Sequence, residues 1–195
     1  MRTKKISVGF MVLLCIGMFA SLAGAQLTVT PDSLYINQNA NAELTFSVTG
    51  GSTVNFMEFV LQVGDGGAAI GGTDTMPTIQ SVDLITGCIF SDAIQTEVVK
   101  HPLVCRYSAT NSPYDITATG KIATVTLDTS ALNIGDTFTV QLSEIGEGYE
   151  TYFNYSGTYI PTISGMFTMT VIPEPATMAI LTIGCLSLAY RRKKY

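Results

Sequence analysis

The chain offers few side chains that could carry out catalysis. His101 is the only histidine, and the nucleophile motif Gly-x-Ser-x-Gly is absent. A hydrolytic triad needs a nucleophile beside a base that a carboxylate orients, and a zinc site needs three or four nitrogen or sulfur ligands. Glu144, Glu147 and Glu150 would supply the carboxylate pair of a glycosidase, but any chain this rich in acids contains such pairs. We therefore expect no enzymatic activity.

Residues 148–159 form the most aromatic stretch of the chain, Gly-Tyr-Glu-Thr-Tyr-Phe-Asn-Tyr-Ser-Gly-Thr-Tyr. Aromatic rings stack on the apolar C–H faces of sugars. If the stretch is a strand, one face carries Tyr152, and the other carries Tyr149, Phe153 and Tyr155. One face is expected to be core. Packing in the core is therefore the favoured role of these rings, and Tyr152 with Glu150 is the candidate glycan contact.

Residues 64–74 form a glycine-rich loop that contains Asp65 and Asp74. Carboxylate and carbonyl oxygens of this kind are the ligands that Ca²⁺ prefers. The loop lacks the alternating acids of an EF-hand and does not repeat. A flexible loop between strands is therefore favoured, and we expect no cofactor, with Ca²⁺ as the alternative.

The middle of the chain, residues 26–171, has the pattern of strands. Apolar and polar residues alternate with period two, and clusters of Gly, Asn, Asp and Pro separate the segments. No stretch of 10 or more residues shows a helical stripe. About nine to eleven short strands predict an all-β protein, an antiparallel β-sandwich of the jelly-roll kind. The clearest apolar stripes are Leu44, Phe46 and Val48; Met57, Phe59, Leu61 and Val63; Ala123, Val125 and Leu127; Phe138, Val140 and Leu142; Phe167, Met169 and Val171.

The first 25 residues have the composition of an export signal. A basic start is followed by the apolar run 6–22 and by the small-x-small sequence Ala23-Gly24-Ala25. This pattern predicts a helical signal peptide that signal peptidase cuts before Gln26. The alternative is an uncleaved membrane anchor.

Residues 172–195 contain three successive elements. Pro173, Glu174 and Pro175 form an extended segment, because each proline fixes φ and excludes a helix before it. The uncharged stretch 176–190 follows, about 22 Å long as a helix against a bilayer core of about 30 Å. It would insert by thinning the bilayer locally. The chain then ends with a basic group that would stay on the cytoplasmic side: Arg191, Arg192, Lys193 and Lys194.

This order of tripeptide, short hydrophobic helix and basic end resembles the PEP-CTERM sorting signal. The resemblance implies recognition by an exosortase, a membrane-embedded cysteine transpeptidase that removes the tail. It also implies a bacterium that makes extracellular polysaccharide. We therefore expect an exported protein with an inner-membrane intermediate, then a cell-surface or extracellular location. An ordinary tail anchor is the alternative.

The strand order of the middle domain bears a second resemblance. Segments 42–48, 55–63, 79–84, 120–127 and 135–140 look like the jelly-roll sandwich of cohesins and carbohydrate-binding modules. Where cohesins usually carry Tyr-Asp after the long central strand, this chain has Val63-Gly64-Asp65. We expect a structural or adhesive surface protein. A carbohydrate-binding module, with extracellular polysaccharide as partner, and a cohesin-like protein-binding module are the alternatives.

Charge and cysteine content complete the expectations. Residues 26–172 keep three cations against 14 acids, so nucleic acid is excluded as a partner because its affinity rests on Lys and Arg. Cys88 and Cys105 are the two cysteines of the exported part. An even pair in an oxidising compartment predicts a disulfide, which would contribute about 3 kcal/mol by closing a loop of about 17 residues. Two buried free thiols are the alternative.

Overall fold

A computed structural model describes residues 26–111, 114–160 and 162–174. The predicted signal helix with Ala23 and Ala25, Pro175, the hydrophobic helix and the basic end all lie outside the described residues. Within the described ranges, no helix is long and apolar enough to cross a bilayer. A single 3-10 turn occupies Gly67–Ile70.

The described chain folds into two packed sheets and a small ribbon. The first sheet has the strand order β14-β1-β3-β10-β6, and the second has β13-β12-β5-β11-β15-β2, with β8 and then β7 added on the other edge of β5. A two-stranded ribbon joins β4 and β9. The strands are β1 Leu27–Pro31, β2 Tyr35–Asn37, β3 Ala42–Thr49, β4 Thr53–Val54, β5 Phe56–Val63, β6 Thr78–Asp83, β7 Ile94–Lys100, β8 Val104–Thr110, β9 Ile116–Thr117, β10 Gly120–Asp128, β11 Thr137–Gln141, β12 Tyr152–Tyr155, β13 Thr158–Ile160, β14 Thr162–Ile163 and β15 Met166–Ile172.

The predicted stripes form the core between the two sheets. In β3, buried and more exposed residues alternate along the strand, because successive side chains of a strand point to opposite faces. The rings of Phe46 and Phe59 meet edge-on, with centroids 5.4 Å apart. Of the stripe residues, only Phe138 and Phe167 are partly exposed, and both pack against the core. The all-β sandwich prediction is confirmed.

Two short pairings depart from the antiparallel rule. β1 pairs with β14 in parallel, and β15 pairs with β2 in parallel. In each case the partner lies far away in sequence, so no hairpin fixes the direction. The second pairing places the end of β15 beside the loop between β2 and β3, which matters below.

β11 and β12 occupy successive stretches of the same edge of β5. β11 pairs at Val63 and Gln62, and β12 pairs at Glu58, Met57 and Phe56. The chain between them, residues 142–151, leaves the sheet and returns; we call it the flap. The local cue for this interruption is the pair Gly146 and Gly148, because glycines mark turns.

Candidate functional site

Three aromatic rings lie together on the outer surface of the second sheet. Tyr152 stands between Phe56 and Tyr159, with ring centroids 5.7 Å apart in both pairs. Asn154 of β12 is the partner of Phe56 on one side and of Tyr159 on the other. The register therefore puts these side chains on one face of the sheet. We call Phe56, Tyr152 and Tyr159 the aromatic face.

The prediction for the aromatic stretch was right for the strand and wrong at its ends. Phe153 is fully buried and Tyr152 is half-buried on the opposite surface, as alternation requires. Tyr149 belongs to the flap and Tyr155 ends β12, and both are exposed rather than packed in the core. Alternation holds only within a strand, and β12 spans just Tyr152–Tyr155.

Two glutamates lie beside the phenols of the aromatic face. The Tyr159 hydroxyl donates to Glu150 Oε1 over 3.0 Å, and Glu58 is the cross-strand partner of Tyr152. Burial, followed by the charge and hydrogen bond of Glu58, raises the pKa of Tyr152. Burial, followed by the hydrogen bond to Glu150, raises the pKa of Tyr159. Both phenols therefore stay protonated, and both side chains are at least partly exposed.

Glu150 thus lies at the aromatic face, where it accepts the Tyr159 hydroxyl. Phe56 and Tyr159 were missed from the sequence because β5 and β13 are brought together only by sheet pairing. An open depression of about 370 Å³ adjoins the face. Its lining includes Phe56, Tyr152 and Asn154.

The flap is held down on the same outer surface. Thr151 Oγ1 accepts the Val60 N–H and donates to the Val60 carbonyl, each over 2.9 Å. Gln62 is fully buried beneath the flap, and its Oε1 accepts the Ile145 N–H over 3.0 Å. Ser143 and Glu150 form an antiparallel bridge at the base of the flap. The flap therefore fixes the position of Glu150 beside Tyr159.

The glycine-rich loop is closed by its own carboxylates. Asp65 Oδ2 accepts the Thr73 N–H over 2.6 Å, and Asp65 Oδ1 accepts the N–H groups of Gly67 and Asp74. Asp74 Oδ2 in turn accepts the Asp65 N–H. The bonds from Thr73 and Gly67 lower the pKa of Asp65 to about 2. Among the described residues, no three His, Cys, Asp or Glu side chains group closely enough to hold a metal ion.

The predicted disulfide between Cys88 and Cys105 is wrong, because both cysteines are free and buried. Cys105 is in the middle of β8, where it pairs with Leu61 and Lys100. Cys88 lies beyond β6 at the edge of the first sheet, and its Sγ faces the backbone carbonyls of Asp83 and Thr86. Cys105 is thus held within the second sheet, whereas Cys88 lies in the loop that follows β6 of the first sheet. Burial raises the pKa of Cys105 to about 12 and also raises that of Cys88.

His101 is exposed in the turn between β7 and β8, where its backbone N–H donates to the Val104 carbonyl. All three glutamates belong to the flap, but Glu144 is buried, whereas Glu147 and Glu150 are exposed. The three glutamates that suggested a glycosidase pair are therefore in different environments.

The sorting tripeptide begins where the sandwich ends. β15 ends at Ile172, directly before Pro173. The carboxylate of Glu174 accepts a hydrogen bond from Asn39 Nδ2 over 2.6 Å. The predicted motif thus contacts the folded domain through its acidic residue.

The sandwich has the fold of cohesin modules. The sixth cohesin of scaffoldin B from Acetivibrio cellulolyticus, solved in complex with a mutant dockerin, superposes with a TM-score of 0.54 at 14% identity, covering 78% of this chain and 100% of that one. A non-cellulosomal cohesin from Archaeoglobus fulgidus gives 0.50 at 12% identity, covering 80% and 97%. A cohesin module from a Clostridium perfringens family 33 glycoside hydrolase gives 0.50 at 10% identity, covering 77% and 99%. The domain is therefore a cohesin-like β-sandwich.

Residues 171–193 match the PEP-CTERM protein-sorting motif. The match includes the tripeptide and extends into the basic end, so the resemblance drawn from these residues is confirmed. The chain is an exported protein that carries an exosortase signal for sorting to the cell surface. A comparison with curated proteins gives no significant match.

Proposed function

We propose that this protein is a non-enzymatic adhesive component of the cell surface or extracellular matrix that binds extracellular polysaccharide through the aromatic face. The observation that carries the proposal is the half-open ring of Tyr152 between Phe56 and Tyr159. Sugar rings present C–H groups to aromatic faces of this kind, while nearby polar groups orient the hydroxyls. Glu58, Glu150 and Asn154 are the polar groups available here.

The charge of the site selects among polysaccharides. Glu58 and Glu150 are the two carboxylates of the aromatic face, and the exported part as a whole has 14 acids against three cations. A uronic acid or sulfated polymer would be repelled over distances up to a Debye length, about 8 Å at physiological salt. A neutral polysaccharide escapes this repulsion and can use the carboxylates as hydrogen-bond acceptors. Neutral polymers are thus the expected ligands.

The route to the surface follows from the two ends of the chain. Signal peptidase would cut before Gln26, and the stretch 176–190 would hold the protein in the inner membrane until an exosortase acts. The chain is therefore bound to the membrane before processing. The mature protein would comprise the sandwich, attached at the surface or released into the matrix.

Binding to the host's own extracellular polysaccharide tests the proposal. The processed protein is titrated by calorimetry with neutral and anionic fractions of that polymer, in Ca²⁺ and in EDTA. We expect saturable binding to the neutral fraction in both buffers, because the Asp65 oxygens already accept backbone N–H groups. Absence of binding to the neutral fraction would contradict the proposal. Binding in Ca²⁺ that is lost in EDTA would support the calcium alternative.

A protein-binding module is the second candidate. The fold is that of cohesins, and the solved cohesin from Acetivibrio cellulolyticus was in complex with a dockerin. Ile94 of the edge strand β7 is 74% exposed on the same outer surface, in the cross-strand row that runs through Thr110 to Phe56. If the processed protein captures a surface protein and Ile94→Lys abolishes capture while polysaccharide binding is absent, this candidate replaces the first.

A further inference from the structure

The last strand of the sandwich leads into the sorting motif without a linker. β15 pairs with β2 up to Ile172, whose register partner is Asn37. The Ile172 carbonyl then accepts the Gln38 N–H over 2.9 Å. Pro173 follows at once, and Glu174 reaches Asn39. Chain segments on both sides of Pro173 are therefore bonded to the loop between β2 and β3.

Asn39 is prepared for this contact by bonds within the sandwich. Its backbone N–H donates to Thr129 Oγ1 over 2.9 Å, and its carbonyl accepts the Thr129 N–H over 2.9 Å. Thr129 is fully buried. Asn39 Oδ1 accepts the Asn41 N–H over 3.0 Å, so the amide group is oriented with Nδ2 towards Glu174. The donor is thus held in place without help from the sorting segment.

Glu174 is the only charged residue between Glu150 and Arg191. It is therefore the one ionic feature by which an enzyme could distinguish the tripeptide from the apolar sequence around it. In the structure one oxygen of this carboxylate is bonded to Asn39, and Glu174 is half-buried. An extended peptide is also read through its backbone, and here the Ile172 carbonyl is already bonded.

We propose that the loop between β2 and β3, residues 38–41, is a docking site for this chain's own sorting motif, and that docking withholds the motif from the sorting enzyme. The enzyme would bind only chains in which Glu174 has left Asn39. Its apparent affinity is then reduced in proportion to the undocked fraction. The folded sandwich would in this way set the rate at which its own tail is removed.

Two substitutions at Asn39 test the proposal in the full chain, expressed in a host that has its exosortase. Asn39→Ser keeps a short side-chain oxygen that can accept the Asn41 N–H but cannot reach Glu174. Asn39→Asp keeps the same acceptor and places a second carboxylate against Glu174. Tail removal is followed by pulse–chase as the loss of the C-terminal segment. Both variants should be processed faster than the wild type, by about 2- to 10-fold, the factor expected for one hydrogen bond.

Asn41→Asp is the matched control. Asn41 contacts Asn39 through its backbone N–H, which the substitution keeps, and the substitution adds the same negative charge as Asn39→Asp. It should be processed at the wild-type rate. Equal or slower processing of Asn39→Ser would overturn the proposal, and slower processing would show that Asn39 presents the motif instead. Acceleration in Asn41→Asp as well would overturn it too.

Amide exchange on the purified full chain in detergent separates undocking from misfolding. The Gln38 N–H, bonded to Ile172, should exchange faster in Asn39→Ser than in the wild type. The Val63 N–H, bonded to Leu103 in the core, should keep its wild-type rate and so report an intact sandwich. If the Val63 N–H exchanges faster in Asn39→Asp, that variant is misfolded, and the test then rests on Asn39→Ser alone. Unchanged exchange at Gln38 in a folded serine variant would contradict docking.

Discussion

The guanidinium carbon of Arg106 lies 3.5 Å from the centre of the Tyr149 ring. Arg106 stands on the outer surface of β8, and Tyr149 belongs to the flap that interrupts the strand between β11 and β12. The contact therefore joins the flap to β8, while the hydrogen bonds of Thr151 and Gln62 join it to β5. Because Glu150 follows Tyr149 directly, this stacking helps to place the carboxylate that binds Tyr159.

Tyr149→Ala should loosen the flap without disturbing the sandwich. A cation–π contact at an exposed site contributes about 0.5–1 kcal/mol. We expect the Ile145 N–H, bonded to Gln62, to exchange several-fold faster, with no change at the Val63 N–H. Equal protection of Ile145 in variant and wild type would show that the flap is held without Tyr149.

Tyr152→Ala should weaken polysaccharide binding about 10-fold, equivalent to about 1.4 kcal/mol, because it removes the central ring of the aromatic face. Tyr152→Phe keeps the ring and should bind nearly as well as the wild type. Tyr35, 62% exposed on β2 at the opposite end of the second sheet, provides the control Tyr35→Ala. Calorimetry of the three variants measures the difference, and an equal loss in Tyr35→Ala would rule out a specific site.

Phe59→Ala should destabilise the sandwich by about 3–5 kcal/mol, the usual effect of deleting a buried phenylalanine side chain. Phe59 is fully buried and meets Phe46 across the two sheets. Ile94→Ala removes a side chain that is largely exposed and should change stability by less than about 0.5 kcal/mol. Urea unfolding of both variants measures the difference. Similar midpoints would contradict the two-sheet core.

The Asp65 carboxylate should make stability depend on acid pH. Its folded pKa is lowered to about 2, against about 3.9 in an unfolded chain. A lowered folded pKa stabilises the protein above the unfolded value, and this contribution is lost as the pH falls towards the folded value. Asp65→Asn should therefore be less stable than the wild type at pH 7, and the gap should close between about pH 4 and pH 2. Urea unfolding across this range checks it, with the exposed Asp92→Asn as the charge-matched control.

The processed protein should contain two thiols. Cys88 and Cys105 are free and buried, and burial keeps their pKa values high, so both should react slowly with a thiol reagent in the native state. After unfolding in guanidinium, two thiols per chain should react without prior reduction. A chain that reacts only after reduction would restore the disulfide predicted from the sequence.

Local patterns in the sequence were sufficient for the strands and for the two ends. Alternation in segments such as 57–63 and 123–127 identified core strands, because the two faces of a strand meet different environments. The tripeptide 173–175 and the basic end could also be identified from local sequence, because a short linear signal consists of consecutive residues. The cohesin-like resemblance also emerged, because it depends on the order of strands.

Contacts between distant segments could not be predicted from the sequence and required the tertiary structure. Cys88 and Cys105 are close in sequence, yet Cys105 lies in β8 of the second sheet and Cys88 in the loop after β6 of the first. Phe56 and Tyr159 join Tyr152 only because β5, β12 and β13 are neighbours. The flap exists because β11 and β12 pair with separate stretches of β5. Asn39 contacts Glu174 because β2 and β15 pair in parallel. The sequence by itself determined which residues form strands and signals, whereas sheet pairing decided which side chains meet, because register brings together residues that no local pattern relates.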